Sequence, residues 1–217
     1  METVTSPPRE LPIVGGHLAL DFANTVDDPL GPKRWDHIAT VEGLMHWAER
    51  VGLMTGEATQ GLHPPVSGAD SPLSSAHLLR EALNDVFGSL AEVEPVGGEA
   101  WGRLRRFIAE ALDTAALTPA DAPWGTYRYD WIHLADVRSV IHPVAAAAGQ
   151  LLISDEMSRL KRCARARCPW LFLDYSKNYS RRWCNMDDCG RAEKIERYLA
   201  KRAAQRTAKP GEAEDSQ

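Results

Sequence analysis

All four cysteines of the chain lie between positions 163 and 189, and this clustering constrains the fold more than any other feature. They read Cys163-x4-Cys168 and Cys184-x4-Cys189, with fifteen residues between the pairs. Each pair can offer two sulfurs from one local turn, and the intervening chain can return to close a tetrahedral site. Zinc is the leading metal, although iron, alone or as an iron–sulfur cluster, also accepts four thiolates. Four cysteines in 217 residues are too few for a disulfide-scaffolded secreted protein, so the spacing is read as a metal site in the reducing cytoplasm. A module of this size buries too little apolar surface to fold well alone, so the metal is expected to be structural.

Charge divides the chain at the same place. Residues 1–158 carry a net −12 and residues 159–209 a net +10, while the tail 210–217 adds −3, so an overall −5 conceals two opposed halves. A basic stretch of this density suits a polyanion, or alternatively the acidic part of its own chain. No apolar run reaches the length of a membrane span. The stretch around Leu18–Phe22 is too short for a secretion signal, so a soluble, cytoplasmic protein is expected.

Upstream of the cysteines the periodicity is helical. Residues 1–11 read as a flexible arm, and Gly15-Gly16 turns the chain into a short helix starting near His17. Thr40 is placed to cap a helix through Arg50, closed by Gly52. Residues 55–73, rich in Gly, Pro and Ser, read as an exposed connection. A helix from Ser74 or Ser75 toward Val93 carries an apolar stripe of Leu78, Leu79, Ala82, Leu83, Val86 and Phe87. The next, roughly 99–116, places Leu104, Phe107, Ile108, Ala111 and Leu112 inward. The aromatic run Trp124–Trp131 suits a short strand or an extended plug whose aromatic side chains are packing pieces. Helical pattern resumes over 132–150 and again over Glu156–Arg162. The predicted architecture is therefore mainly α: a helical N-terminal domain over 12–154, a four-cysteine zinc-finger module over 155–206, and flexible tails at 1–11 and 207–217.

Within the module, Trp170–Leu173 and the Arg-Arg-Trp-Cys run ending at Cys184 are predicted to form a short β-hairpin joined by residues 176–180, followed by a helix after Cys189. That helix has an apolar face of Ala192, Ile195 and Leu199, with Tyr198 nearby. Glu193 is placed to pair with Arg197 four residues on. Lys177, Arg181, Arg182, Arg191, Lys194 and Arg197 are the candidate contacts to a phosphate backbone. Trp170 and Trp183 could stack on bases, but burial over the metal module is the favoured reading.

The pattern Cys163-x4-Cys168-x3-Phe172-x-Asp174-x-Ser176-x-Asn178-x2-Arg181-Arg182-Trp183-Cys184-x-Met186-x2-Cys189-Gly190 resembles the bacterial CGNR zinc-finger family. The stretch Gly16-His-Leu-Ala-Leu-Asp-Phe-Ala-Asn-Thr25 similarly resembles the start of the ABATE domain that accompanies this finger. The resemblance implies a bacterial transcription regulator, helical in its N-terminal domain, with a finger that contacts DNA. One departure stands in the motif that names the family, because Arg191-Ala192 replaces the Asn-Arg pair expected after Gly190.

His17, Asp21 and Asn24 share one side of the first helix and form a candidate N-terminal functional cluster. The alternative gives His17 and Asn24 the helix ends and Asp21 a buried backbone or basic partner. His37, His46, His63, His77, His133 and His142 make no metal motif, and no phosphate loop, hydrolase elbow or zinc-protease signature occurs, so the chain is read as non-enzymatic. The function expected is DNA binding in transcription regulation, with a small-molecule effector in the N-terminal domain and homodimerisation as further possibilities. The alternative is a protein-interaction or ligand-sensing module without DNA contact.

Overall fold

The structure, a computed structural model, describes residues 10–28, 34–54, 72–120, 125–131, 134 and 136–207. The arm at 1–9, the Pro-Gly loop at 29–33, the connection at 55–71, the tail from 208, and Trp124, His63 and His133 lie outside the described residues.

Among the described residues, six α-helices carry the fold: α1 Leu18–Ala23, α2 Val41–Arg50, α3 Pro72–Ala91, α4 Gly98–Asp113, α5 Arg138–Leu152 and α6 Arg191–Thr207. Antiparallel strand pairs join them there: β1 Val26–Asp27 with β2 Trp35–Asp36, β3 Ala116–Pro119 with β4 Tyr127–Asp130, and β5 Leu160–Arg162 with β6 Leu171–Leu173. The helical expectation holds through the N-terminal part. His17 caps α1 by accepting from the Ala19 amide, and the Thr40 hydroxyl accepts from Gly43 at the start of α2. Among the described residues, no helix is long and apolar enough to cross a membrane.

The core is one continuous body. Leu20 and Phe22 of α1, Leu79, Leu83, Val86 and Phe87 of α3, and Val140, Val144 and Leu151 of α5 meet Leu171, Phe172 and Leu173 of β6 within it. Phe22 stands edge-on to Trp47 with ring centroids 5.0 Å apart. Polar groups on α3 tie down the loop after α1: Arg80 grips both carboxylate oxygens of Asp36 at 2.6 and 2.7 Å, and Asn84 donates to the Ala23 carbonyl. Burial alone would raise the Asp36 carboxyl, but the Arg80 hydrogen bonds hold it below its ordinary value.

Several elements differ from the sequence expectation. Helix α3 stops at Ala91 because Val93 adopts a left-handed φ of 58°, which ends helical hydrogen bonding. Leu78 and Leu112 are exposed, since each lies at the edge of its stripe and the neighbouring Leu79 and Ala111 take the inward positions. Of the aromatic run, Trp131 is buried and donates its indole N–H to Ala111, whereas Tyr127 and Tyr129 are exposed on the hairpin.

The largest correction falls next to the cysteines. Residues expected as a helix over 156–162 form a 3₁₀ turn, Asp155–Arg159, followed by strand β5. The residues that pair with β6 are Leu160–Arg162, not the run from Arg181 to Cys184. The reason is that the other edge of β6 is already occupied. Leu173 donates its amide to the Gly15 carbonyl, and the Asn24 side chain brackets Leu171, accepting from its amide at 2.9 Å and donating to its carbonyl at 2.8 Å. One side-chain amide thus does what a neighbouring strand would do.

Candidate metal centre and basic surface

The hairpin sets the first pair of cysteines. Cys163 follows β5 directly and donates its amide to the Trp170 carbonyl, while the Cys168 amide bonds back to Arg165 and closes a tight turn. Cys184 is brought over this turn by the bond from the Ala164 amide to the Arg182 carbonyl. Cys189 sits in a π turn, Met186–Gly190, whose start is capped by the Asn185 side chain accepting from the Asp187 amide. A Cβ at Gly190 would lie 2.5 Å from Met186 Sδ, so any larger residue there would have to displace the exposed Met186 side chain.

These turns gather one sulfur from each cysteine into a cage in which all four atoms lie within 4.8 Å of one another. Cys184 Sγ is 3.6 Å from both Cys168 Sγ and Cys189 Sγ. A tetrahedron with metal–sulfur bonds of about 2.3 Å has edges of roughly 3.8 Å, whereas a disulfide would need about 2.05 Å. The donor set therefore fits a four-thiolate metal site. The crowded sulfurs hold the Cys163 thiol far below its ordinary value and push Cys168 and Cys184 far above theirs, so four thiolates can share this cage only with a cation among them. Cys163, Cys184 and Cys189 are buried, and Cys168 is the half-buried member.

The candidate phosphate contacts divide sharply. Lys177, Arg182, Arg191, Lys194 and Arg197 are exposed, with Arg182 lying over the Trp183 ring. Arg181 is not available in the same way. Its guanidinium donates to the carbonyls of Val14, Trp183, Leu173 and Cys184 and stacks 4.1 Å above the Phe172 ring. The expected pairing of Glu193 with Arg197 is absent among the described ion pairs; Glu196 pairs instead with Arg165 at 3.1 Å. Arg162 reaches across to Glu92 at 2.6 Å, so part of the basic segment is held by the acidic half of its own chain.

Two residues outside the candidate list complete the support. Asp174, fully buried, accepts from Lys161 Nζ, from both the amide and hydroxyl of Ser176, and from the Arg181 amide. Burial would raise its pKa, yet the Lys161 and Ser176 hydrogen bonds hold it far below the usual carboxylate range. Lys161 also donates to the Tyr179 and Arg181 carbonyls, pinning the loop that returns to Cys184. Sequence position gave Lys161 no distinction; the run Asp174-x-Ser176, a side chain bonding the backbone two residues on, was the available signal.

The N-terminal cluster has a structural task. His17 is the α1 cap, and burial lowers its pKa. Asp21 accepts from the Gly15 amide at 2.7 Å, and burial raises its carboxyl to about 6, against the opposing pull of that bond and of the Arg181 charge. Asn24 is spent on Leu171. Trp170 is buried too and donates its indole N–H to Val26, which removes it from any role on bases. Gly16, at φ +74°, lets the chain turn beneath the Tyr175 ring. His17-to-Thr25 and the finger are thus two sides of one seam.

A helical body whose first helix is stitched to a four-cysteine finger defines a metal-finger protein with a dedicated N-terminal partner domain. The ABATE family model, described as a putative stress-induced transcription regulator, matches residues 16–155, and the CGNR zinc finger model matches residues 159–202. The chain belongs to the ABATE family and carries a CGNR zinc finger. No curated protein matches it.

Proposed function

We propose that this protein is a DNA-binding transcription regulator whose phosphate-contacting surface is the outer face of α6, on a finger held closed by structural zinc. The observation that carries the reading is the set of exposed cations on that helix. Lys194, Arg197 and Lys201 follow one another at i, i+3 and i+7, which aligns them in a single stripe, and all three are exposed. Flexible cations so aligned suit a phosphate backbone rather than particular bases.

Zinc suits the four thiolates and, when bound, cross-links the ends of the finger loop. The chain's own residues do the rest: Asn24 and Arg181 fix the finger on the helical body, Asp174 holds the loop within the finger, and α6 leaves it carrying the charge. No catalytic role is assigned to any residue. The cavity beside Trp131, about 510 Å³ and lined by Leu53, Met54, Tyr129 and Pro143, is the place in the helical body for a small-molecule effector.

The test is duplex-DNA binding by the full, zinc-loaded chain across a salt series, beside a Lys194→Gln/Arg197→Gln/Lys201→Gln variant of equal metal content. The expected outcome is affinity that falls with salt. The variant should lose at least about tenfold at low salt and flatten the log–log slope by roughly three. No binding by the zinc-loaded wild type at low salt would reject the reading.

A further inference from the structure

The loop that returns from β6 to Cys184 carries an aromatic pair that the metal centre does not use. Tyr175 and Tyr179 are 53% and 51% exposed, and the Arg159 guanidinium lies over both rings, 5.3 Å from the Tyr175 centroid and 4.9 Å from that of Tyr179. A planar guanidinium over an aromatic face orients the ring without burying it. Tyr175 is steadied further by the bond from its hydroxyl to Glu156 and by Gly16, where a Cβ would stand 3.3 Å from Tyr175 Cε2. Both rings are thus set in place on the surface.

Tyr179 is held there against strain. Its φ of 51° lies in the left-handed region, where glycine or asparagine is ordinary and a bulky side chain is not. Hydrogen bonds impose this backbone: the Tyr179 amide donates to the Ser176 carbonyl at 3.1 Å, the Ser180 amide to the Ser176 hydroxyl at 2.9 Å, and Lys161 Nζ to the Tyr179 carbonyl. The ring does not belong to the core, so packing does not explain why a tyrosine stands at this position. Residues 175–182 include three cations, Lys177, Arg181 and Arg182, and no acid, and Lys177 and Arg182 are exposed.

We infer that Tyr179, with Tyr175 beside it, is a stacking platform for an unpaired nucleobase, whose flanking phosphates meet Lys177 and Arg182. Every base has a π face, so such a platform accepts a strand without reading its sequence. Bases inside a duplex stack on one another, and the occupant is therefore a single-stranded or frayed segment. Stacking is the same chemistry on a DNA or an RNA strand. The inference rests on the reading of the finger as a nucleic-acid module and adds a base contact that the phosphate stripe of α6 does not supply.

Binding of the full, zinc-loaded chain to labelled oligo-dT and oligo-rU strands of about ten nucleotides, beside a blunt duplex, tests the inference. The wild type should bind at least one strand, and the one preferred tells deoxyribose from ribose. Tyr179→Leu, which keeps apolar bulk without a ring, should weaken strand binding by at least about tenfold and leave its salt slope unchanged, because no phosphate contact is lost. Tyr179→Phe should stay within about twofold of wild type. Tyr179→Gly should lose strand binding as Tyr179→Leu does while its thermal midpoint holds or rises, since glycine relieves the left-handed strain. A strand carrying 5-iodouracil should photo-crosslink to Tyr179 or Tyr175. Strands that bind neither wild type nor variant overturn the inference, and so does a Tyr179→Leu variant that binds them as tightly as wild type. Duplex binding is judged separately: a duplex bound while the strands are not removes this inference alone, whereas strands bound through Tyr179 without the duplex keep it and remove the duplex reading.

Discussion

Arg181 and Arg197 sit sixteen positions apart in the same basic segment, and from sequence both are phosphate contacts. In the folded chain they belong to different kinds of structure. Arg181 threads four backbone carbonyls and a phenyl ring at the seam between finger and helical body. Arg197 projects from a helix exposed all round. The contrast extends to their surroundings: the β5–β6 hairpin contributes Leu171, Phe172 and Leu173 to the central core, while over 191–205 helix α6 buries no side chain fully. Positive charge in a sequence therefore measures two quantities at once, the cations that hold the fold and those left for a partner.

Removing the metal should break this division most completely. Replacing Cys184 with Ser, or stripping zinc with a strong chelator, is expected to unfold the finger and destabilise the whole chain by more than about 5 kcal/mol, because β6 is part of the shared core. Thermal unfolding should then show a lower midpoint for the helical body as well. A body that melts unchanged while the finger is lost would mean that the seam carries little energy.

A paired substitution sharpens the comparison. Arg181→Gln is expected to cost about 3 kcal/mol in urea unfolding, since several partly buried carbonyls lose a charged donor together. Arg197→Gln should stay within about 0.5 kcal/mol of wild type. Equal effects would erase the distinction between seam and surface.

The smallest expected effect is a gain. Asp21 is raised to about 6, so between about pH 4 and pH 6 the folded chain holds a proton that the unfolded chain has released. Stability from this group falls as pH rises through that window, and the penalty is fully present above it. Asp21→Asn can keep the bond from the Gly15 amide and should stabilise the protein by about 1–2 kcal/mol at pH 7.5, with a smaller gain at pH 5. A loss at pH 7.5 would show that attraction between Asp21 and Arg181 outweighs burial.

How much of this was legible beforehand depends on the range of the interaction. The caps at His17 and Thr40, the closing turn at Gly52 and the helical stripes are local, and sequence spacing exposes them. The cysteine cage was legible because metal ligation tolerates few residue types and its spacing is geometric. What sequence could not display was the partner of β6. The run from Arg181 to Cys184 looked like the returning strand because nothing local reveals that Asn24 and Gly15 already hold that edge. Strand β5 was hidden for the same reason, as Leu160–Arg162 is extended only because β6 requires it. Arg181 was misplaced because its carbonyl partners include Val14, far away in the chain.

The Asn24 bracket also governs the order in which the molecule can be made. Its amide waits for Leu171, 147 residues downstream. At about 5–20 residues per second, a ribosome needs on the order of ten seconds to cross that distance. Throughout that interval the first helix has emerged with a polar side chain whose strand does not yet exist, and the segment expected to fold first is among the last to be completed.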